Sequence, residues 1–277
     1  MSPDPLAPEF PFADVTLARR LERAEGAGCA RFVEARAALR PESGSTWIEE
    51  SGTWAMFDGP TSPITQTFRL GVFEPMPPEG LDRIERFFQQ RGTPVWHEVS
   101  PLADASTLGL LTSRGYRPIE LSNVLFRPIS AEDVFPGEDS SVTVRRTGLP
   151  EWKRWADTAT AGWSEFAEYA PLMAEFSEIG ARRADALNFL AECDGQPAGT
   201  GSLVIEGGVA LLAGASTVPA FRRRGAQLAL LGARLRHAVN VGCDLAMITT
   251  QPGSGSQRNA ERHGFRIAYT RTKWQLG

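Results

Sequence analysis

Three apolar segments, Asn188–Glu192, Ala198–Ile205 and Val209–Val218, succeed one another with only short Asp194-Gly195 and Gly207-Gly208 connections between them. Asp-Gly and Gly-Gly connections favour antiparallel hairpins, because the central residues of the tight turn need positive φ. The stretch is thereby committed to a three-strand meander. The next twenty residues narrow the fold further. The third strand stops at Val218-Pro219, and a turn Arg222-Arg223-Arg224-Gly225 comes next. Leu228, Leu231, Leu235 and Ala238 then recur at the helical period. A helix that starts at a glycine turn leaves backbone N–H groups without partners, and the helix dipole and three arginines add positive potential. The expected guest is a phosphate or pyrophosphate. The glycine is not succeeded by Lys-Ser/Thr as in a P-loop, and the chain has no G-x-G-x-x-G of a dinucleotide-binding fold.

The chain has 277 residues and a formal net charge of -4, with 42% hydrophobic and 22% charged residues, the balance of a globular protein. Its length fits one large domain or two of about 130 to 140 residues. No apolar run reaches the ~20 residues of a membrane span, so no membrane is expected as a partner. The acidic, proline-rich start MSPDPLAPEFPFAD lacks the basic and apolar regions of a signal peptide. Cys29, Cys193 and Cys243 are too few and too scattered for a disulfide framework. A cytoplasmic setting is expected. Mild overall acidity argues against nucleic acid. His97, His237 and His263 lack metal-ligand spacing, and no metal is expected.

Residues 1–12 read as an irregular arm and Val15–Leu39 as helix, broken near Gly26–Gly28. Thr46–Phe57 alternates as a strand or hairpin does, and Ile64–Phe73 reads as a further strand. An amphipathic helix over Leu81–Gln90, a strand over Val95–Val99, a helix over Ser106–Arg114 and a strand over Glu120–Phe126 complete the first half. Residues 129–141, acidic with Pro and Gly, read as a linker. After it come a strand over Val142–Arg146, helices around Trp152–Ala161 and Pro171–Ile179, the meander, and the helix after the basic turn. A strand over Leu245–Thr250, a helix over Gln257–His263 and a strand over Ile267–Gln275 end the chain.

The two halves repeat one order of elements. Ser113-Arg114-Gly115-Tyr116-Arg117 parallels Arg262-His263-Gly264-Phe265-Arg266 at an offset of about 150 residues. The same offset carries the basic turn onto Glu74-Pro75-Met76-Pro77-Pro78, where prolines remove backbone donors and Glu74 and Glu79 repel anions. The chain therefore reads as two copies of one unit, of which only the second keeps the anion turn. That turn, Arg222-Arg223-Arg224-Gly225-Ala226-Gln227, resembles the acetyl-CoA signature of the GCN5-related N-acetyltransferase (GNAT) superfamily, Arg/Gln-x-x-Gly-x-Gly/Ala, with Gln227 departing at the last position. The second half resembles that family along nearly its whole length, including Gly264-Phe265; the first resembles it in element order and in Arg-Gly-Tyr.

The resemblance implies an α/β fold of two tandem GNAT-like units, each a mixed, mostly antiparallel sheet flanked by helices. The boundaries read as 1–130 for a degenerate N-terminal domain, 131–141 for the linker and 142–277 for the domain that takes acetyl-CoA. The resemblance implies an N-acetyltransferase in which a primary amine attacks the thioester directly. Backbone amides of Arg223, Arg224, Gly225, Ala226 and Gln227, with the Arg222 and Arg224 side chains, would hold the pyrophosphate. Ala215, Ser216, Thr217 and Val218 would pair with the pantetheine, which Asn259 would also touch. The family's frequent tyrosine, four residues before the Gly of Gly-Phe, is Ala260 here. Ser256 is the candidate hydroxyl in its stead, with a structural first-turn serine as the alternative, and Ser254 reads as a helix N-cap. No acid lies on Val209–Val218, and Glu165, Glu168, Tyr169 and Glu192 remain as candidate bases. Trp152, Trp155 and Trp163 read as core packing, or else as an aromatic wall for an apolar or cationic amine. Acetyl-CoA and an amine acceptor are the implied partners, and a homodimer stays open. So do two other readings, a non-catalytic acyl-CoA sensor or scaffold and a module for some other polyanion.

Overall fold

The computed structural model describes residues 10–137 and 141–276. The expected N-terminal arm lies mostly outside them, as do residues 138–140 of the linker. The first half runs α1 (Val15–Leu39), β1 (Thr46–Glu50), β2 (Thr53–Phe57), β3 (Gln66–Phe68), α2 (Pro78–Gln89), β4 (Trp96–Val99), α3 (Ala105–Ser113) and β5 (Tyr116–Pro128). The second runs β6 (Val142–Arg146), α4 (Trp152–Ala161), α5 (Ala170–Arg182), β7 (Leu187–Cys193), β8 (Gln196–Glu206), β9 (Val209–Thr217), α6 (Ala226–Asn240), β10 (Leu245–Thr250), α7 (Gly255–Arg262) and β11 (Arg266–Leu276). The β7–β8–β9 meander forms with both expected turns, and its strands pair antiparallel.

Among the described residues, eleven strands join one sheet, in the order β1-β2-β3-β4-β11-β5-β10-β9-β8-β7-β6. The halves have exchanged their last strands. β11 lies between β4 and β5 of the first half, and β5 lies between β11 and β10 of the second. The sheet therefore runs across the boundary proposed at residues 131–141. Strand side chains alternate between two cores. Val124, Phe126, Val204, Leu211, Leu245 and Met247 pack with α1 on one face. Leu125, Leu203, Ala210, Leu212 and Ala246 pack with α6 on the other.

Two expectations fail for identifiable reasons. α1 runs through Gly26–Gly28 without a break. Its glycines serve close approach: a Cβ on Gly28 would stand 3.2 Å from Leu211 Cδ2, and one on Gly26 3.1 Å from Arg69 Cδ. Ile64–Phe73 is strand only over Gln66–Phe68, because Arg69 (φ 70) and Gly71 (φ 70) turn the chain away.

The linker is irregular but fastened. Ile129 and Phe135 are buried in the second core, and the Pro136 carbonyl lies so close to α6 that a Cβ on Gly232 would meet it at 1.8 Å. Gly232→Ala must push this strap off the helix. The expected loss is about 1–3 kcal/mol, as for other overpacked sites, read as a lowered urea midpoint.

Where the halves meet, charge is buried. Arg271 on β11 is 2% exposed. Its Nη1 lies 2.6 Å from Glu25 Oε2 and 3.6 Å from Glu22 Oε2, both on α1, and its Nε lies 3.3 Å from Glu98 Oε1 on β4. Hydroxyls of Tyr269, Thr249 and Ser122 donate to Glu22, Glu25 and Glu98 in turn.

Candidate functional site

The site arises where β9 parts from β10. These parallel strands pair only over Val209–Leu211 and Leu245–Met247. Farther along, β9 carries one more residue than β8 between the pairs Ser202↔Ala213 and Thr200↔Ser216, and Gly214 takes a φ of 58 there. Such a bulge bends its strand and leaves backbone groups unpaired. Gly214 and Ala215 are consequently exposed in mid-sheet. Ala215, Ser216 and Thr217 form one wall of a cleft of about 710 Å³.

The turn that ends β9 closes the cleft at one side. Arg223 (φ 62) and Gly225 (φ 87) are both left-handed. Left-handed residues so spaced aim neighbouring N–H groups into a common concavity that suits anions. Gly225 is the N-cap of α6 and brings no side chain, so the first-turn amides have no side-chain cap. They face the cleft with the positive end of the helix dipole.

The three arginines behave differently. Arg222 and Arg223 line the cleft. Arg222 also pairs with Glu165 in the segment after α4. Arg224 turns away, bonds Asp194 Oδ2 at 2.6 Å and lies over the Phe221 ring. Ser216, Thr217, Gly225, Ala226, Gln227, Ser256 and Asn259 all line the cleft, whereas Val218 and Arg224 do not. The Val218 N–H is bonded to the Ala198 carbonyl, at 3.0 Å. Gln227 reaches back from α6, its Nε2 donating to Ser216 O and Thr217 Oγ1, each at 2.7 Å. It ties the helix start to the strand end. Ser216 Oγ donates to Ala159 O at 3.0 Å and so braces β9 against α4.

The opposite wall is α7. Ser254 Oγ accepts from Gln257 N at 3.1 Å, the expected cap. Ser256 and Asn259 are exposed on the cleft side. Ala260 is buried in the second core. Among the described residues lining the cleft none is acidic. Glu192 is bound to Arg154 and Arg145. Glu168 and Tyr169 are exposed and do not line the cleft. Sequence reasoning missed Phe166 as a wall residue; of the two readings of Trp163, core packing or an aromatic wall, its 39% exposure and its place in the cleft lining fit the wall. Both lie within four residues after Gly162, where a Cβ would stand 2.6 Å from Ser216 Cβ, a close approach that brings this segment to β9.

At the corresponding point of the first half, Pro77 is the N-cap of α2, Pro78 opens the helix and Glu79 stands in the first turn. Fewer donors and a negative charge make this the reverse of an anion site.

Comparison with known proteins accords with this geometry. Residues 149–265 match the model of the acetyltransferase (GNAT) family. No curated protein sequence matches the chain. Among solved structures, the chain is similar to a GCN5-related N-acetyltransferase from Kribbella flavida, with a TM-score of 0.63 and 18% identity, over 90% of this chain and 95% of that one. A GCN5-related N-acetyltransferase from Sphaerobacter thermophilus aligns with a TM-score of 0.53 and 16% identity, over 95% of this chain and 91% of that one. A tandem GNAT protein from the clavulanic acid biosynthesis pathway aligns with a TM-score of 0.55 and 14% identity, over 80% of this chain and 74% of that one. These likenesses establish the fold.

Proposed function

We propose, on the premise that residues 149–265 form a domain of the acetyltransferase (GNAT) family, that the protein is an acetyl-CoA-dependent N-acetyltransferase acting on a primary amine in the cleft between β9, α6 and α7. The observation that carries this is the junction of two features in one cleft: uncapped amides at the start of α6 and the bulged, unpaired edge of β9. The amides of residues 223–227, with the Arg222 and Arg223 side chains, would hold the pyrophosphate. The edge Ala215–Thr217 would hold the pantetheine, with Asn259 facing it.

Acetyl-CoA supplies an activated acyl carbon, on which the amine forms the new C–N bond as the C–S bond breaks. One proton leaves the nitrogen and one joins the sulfur. Ser256, a hydroxyl on the α7 wall, is the residue we assign to the sulfur's proton. Exposed amides at the β9 bulge can stabilise negative charge developing on the carbonyl oxygen.

The test is calorimetric titration of acetyl-CoA into the wild type and into Gly225→Pro. Proline holds φ near −65° and has no N–H, so it cannot occupy a position at φ 87 and removes a donor. One-to-one binding by the wild type, weakened about a hundredfold or more in a variant whose circular dichroism is unchanged, is the expected result. Absence of wild-type binding would overturn the proposal. A second site per chain would show that the first half also takes the donor. Amine-dependent thiol release then separates an enzyme from a silent acyl-CoA sensor.

A further inference from the structure

A second cavity, of about 390 Å³, lies on the far side of the β9 bulge and meets the cleft at Trp163, Ala215 and Ser216. Its size falls within the range of about 300–1,000 Å³ typical of small-molecule sites. Both halves build it. α1 of the first half brings Cys29 and Phe32, α4 brings Trp155, and α5 brings Met173 and Phe176. None of the described residues lining it is a carboxylate.

Its polar atoms are mostly engaged within the protein. Ser202 Oγ donates to Asn188 Oδ1 at 2.6 Å. The Arg183 guanidinium donates to both carboxylate oxygens of Asp185 and to Gly28 O. The faces of Phe32 and Phe176 are engaged as well. Arg36 and Arg183 lie over the Phe32 ring at 5.9 and 5.5 Å, and Arg36 lies 5.5 Å from the Phe176 centroid. A further cation would meet guanidinium charge there in place of open π-faces. An ammonium carried into this cavity would find no counter-charge.

We propose that this cavity receives the acceptor and that the acceptor is a primary amine on a neutral, apolar body the size of an aryl ring or short alkyl chain, bound as the free base. The proposal rests on the acetyltransferase reading above. It gives the first half a role, since α1 forms a wall of the pocket. It also accounts for a cleft without an acidic base. Apolar surroundings disfavour the ammonium form, so the proton leaves to water before the amine is enclosed. The titratable groups lining the cavity are Cys29 from α1 and Arg183 after α5; α4, β8 and β9 contribute none. Burial pushes the Cys29 thiol far up, which keeps it uncharged, and Arg183 is paired with Asp185. Glu165, at the cleft mouth, is paired with Arg222.

The experiment is thiol release from acetyl-CoA by the full-length protein with hexylamine, 2-phenylethylamine and 1,6-diaminohexane. Hexylamine and the diamine differ by one terminal ammonium. Expected is a kcat/KM about a hundredfold higher for hexylamine, as for burial of an unpaired charge. Its rise with pH should track the pKa of the amine supplied, moving down with a fluorinated phenylethylamine of lower pKa. Cys29→Trp should raise KM for 2-phenylethylamine about tenfold or more and leave the calorimetric affinity for acetyl-CoA unchanged. Met173→Glu, which adds a carboxylate to the wall without filling the cavity, should turn the preference toward the diamine. If acetyl-CoA binds but the diamine is the better substrate, or no monoamine reacts, or neither variant changes selectivity, the assignment is overturned and the donor site stands. If acetyl-CoA itself does not bind, the acetyltransferase reading falls and this proposal with it.

Discussion

Arg271→Leu is expected to destabilise the protein by about 3–5 kcal/mol, a large share of the roughly 5–15 kcal/mol that holds a domain folded. The leucine fills space but leaves Glu22, Glu25 and Glu98 without the guanidinium that neutralises them. An isolated buried charge costs far more than a surface pair gains. Because Arg271 belongs to the last strand of the second half and is inserted between β4 and β5 of the first, its loss should lower the stability of both halves together. Urea unfolding at pH 7.5 is the measurement; a change below about 1 kcal/mol would refute the account. The defect should also depend on pH. Burial pushes the Glu22 carboxyl up to about 6, with Arg271 pulling it down. A raised folded-state pKa means stability that is present below the unfolded value of 4.5 and lost as pH rises through about 6. Without Arg271 this rise grows, so the variant should recover part of its stability at pH 5. Adding Glu22→Gln and Glu25→Gln should restore more than half of the loss at pH 7.5.

The exchange that places Arg271 there was not legible in the sequence. β5 and β11 are strands of similar length, and nothing in their local pattern says which half each one joins. Local pattern sets which residues of a strand face a core, and it is silent on which distant edge the strand joins. The meander and the helix after it were legible because their signals are short-range: Asp194-Gly195, Gly207-Gly208, Gly225 and the period of Leu228, Leu231 and Leu235 each constrain their neighbours alone. Gly26 and Gly28 misled for the converse reason. Their use is a contact with Arg69 and Leu211, far away in sequence. The cleft obeys the same division. Turn and cap chemistry brought Gly225, Gln227 and Ser254 into view. The opposite direction of Arg224 depends on Arg223 adopting a φ of 62, and nothing in three consecutive arginines announces that. Cys29 and Phe32 carried no signal at all, because only the packing of α1 across both halves brings them to β9.

A second large effect should come from His97, another polar group enclosed where the halves join. It lies on β4, fully buried, with Nδ1 2.9 Å from Thr67 Oγ1 and its ring 4.7 Å from that of Tyr116. Nε2 has no partner. Burial pushes the imidazole down to about 3, so the folded protein keeps it neutral while the unfolded chain takes up a proton near pH 6.5. A depressed folded-state pKa gives stability that is present above the unfolded value and lost as pH falls toward the folded one. From pH 6.5 downward the loss is about 1.4 kcal/mol per unit until the folded pKa is reached. Glu22 acts in the opposite direction between about pH 6 and 4.5, where the folded protein takes up a proton before the unfolded chain does. Burial also lowers His237 and His263 and raises Asp58, so the two opposing effects are read from variants and not from the slope of the wild type. His97→Gln removes one of them, since glutamine can meet Thr67 and stays neutral throughout. The stability difference between wild type and variant should therefore shrink by about 3 kcal/mol between pH 7.5 and 4.5. In the variant background, Glu22→Gln should remove a gain in stability of about 2 kcal/mol on going from pH 6 to 4.5. A constant difference across the range would mean that His97 titrates alike in both states, and that the junction between β4 and β11 admits water which the packing around the ring excludes.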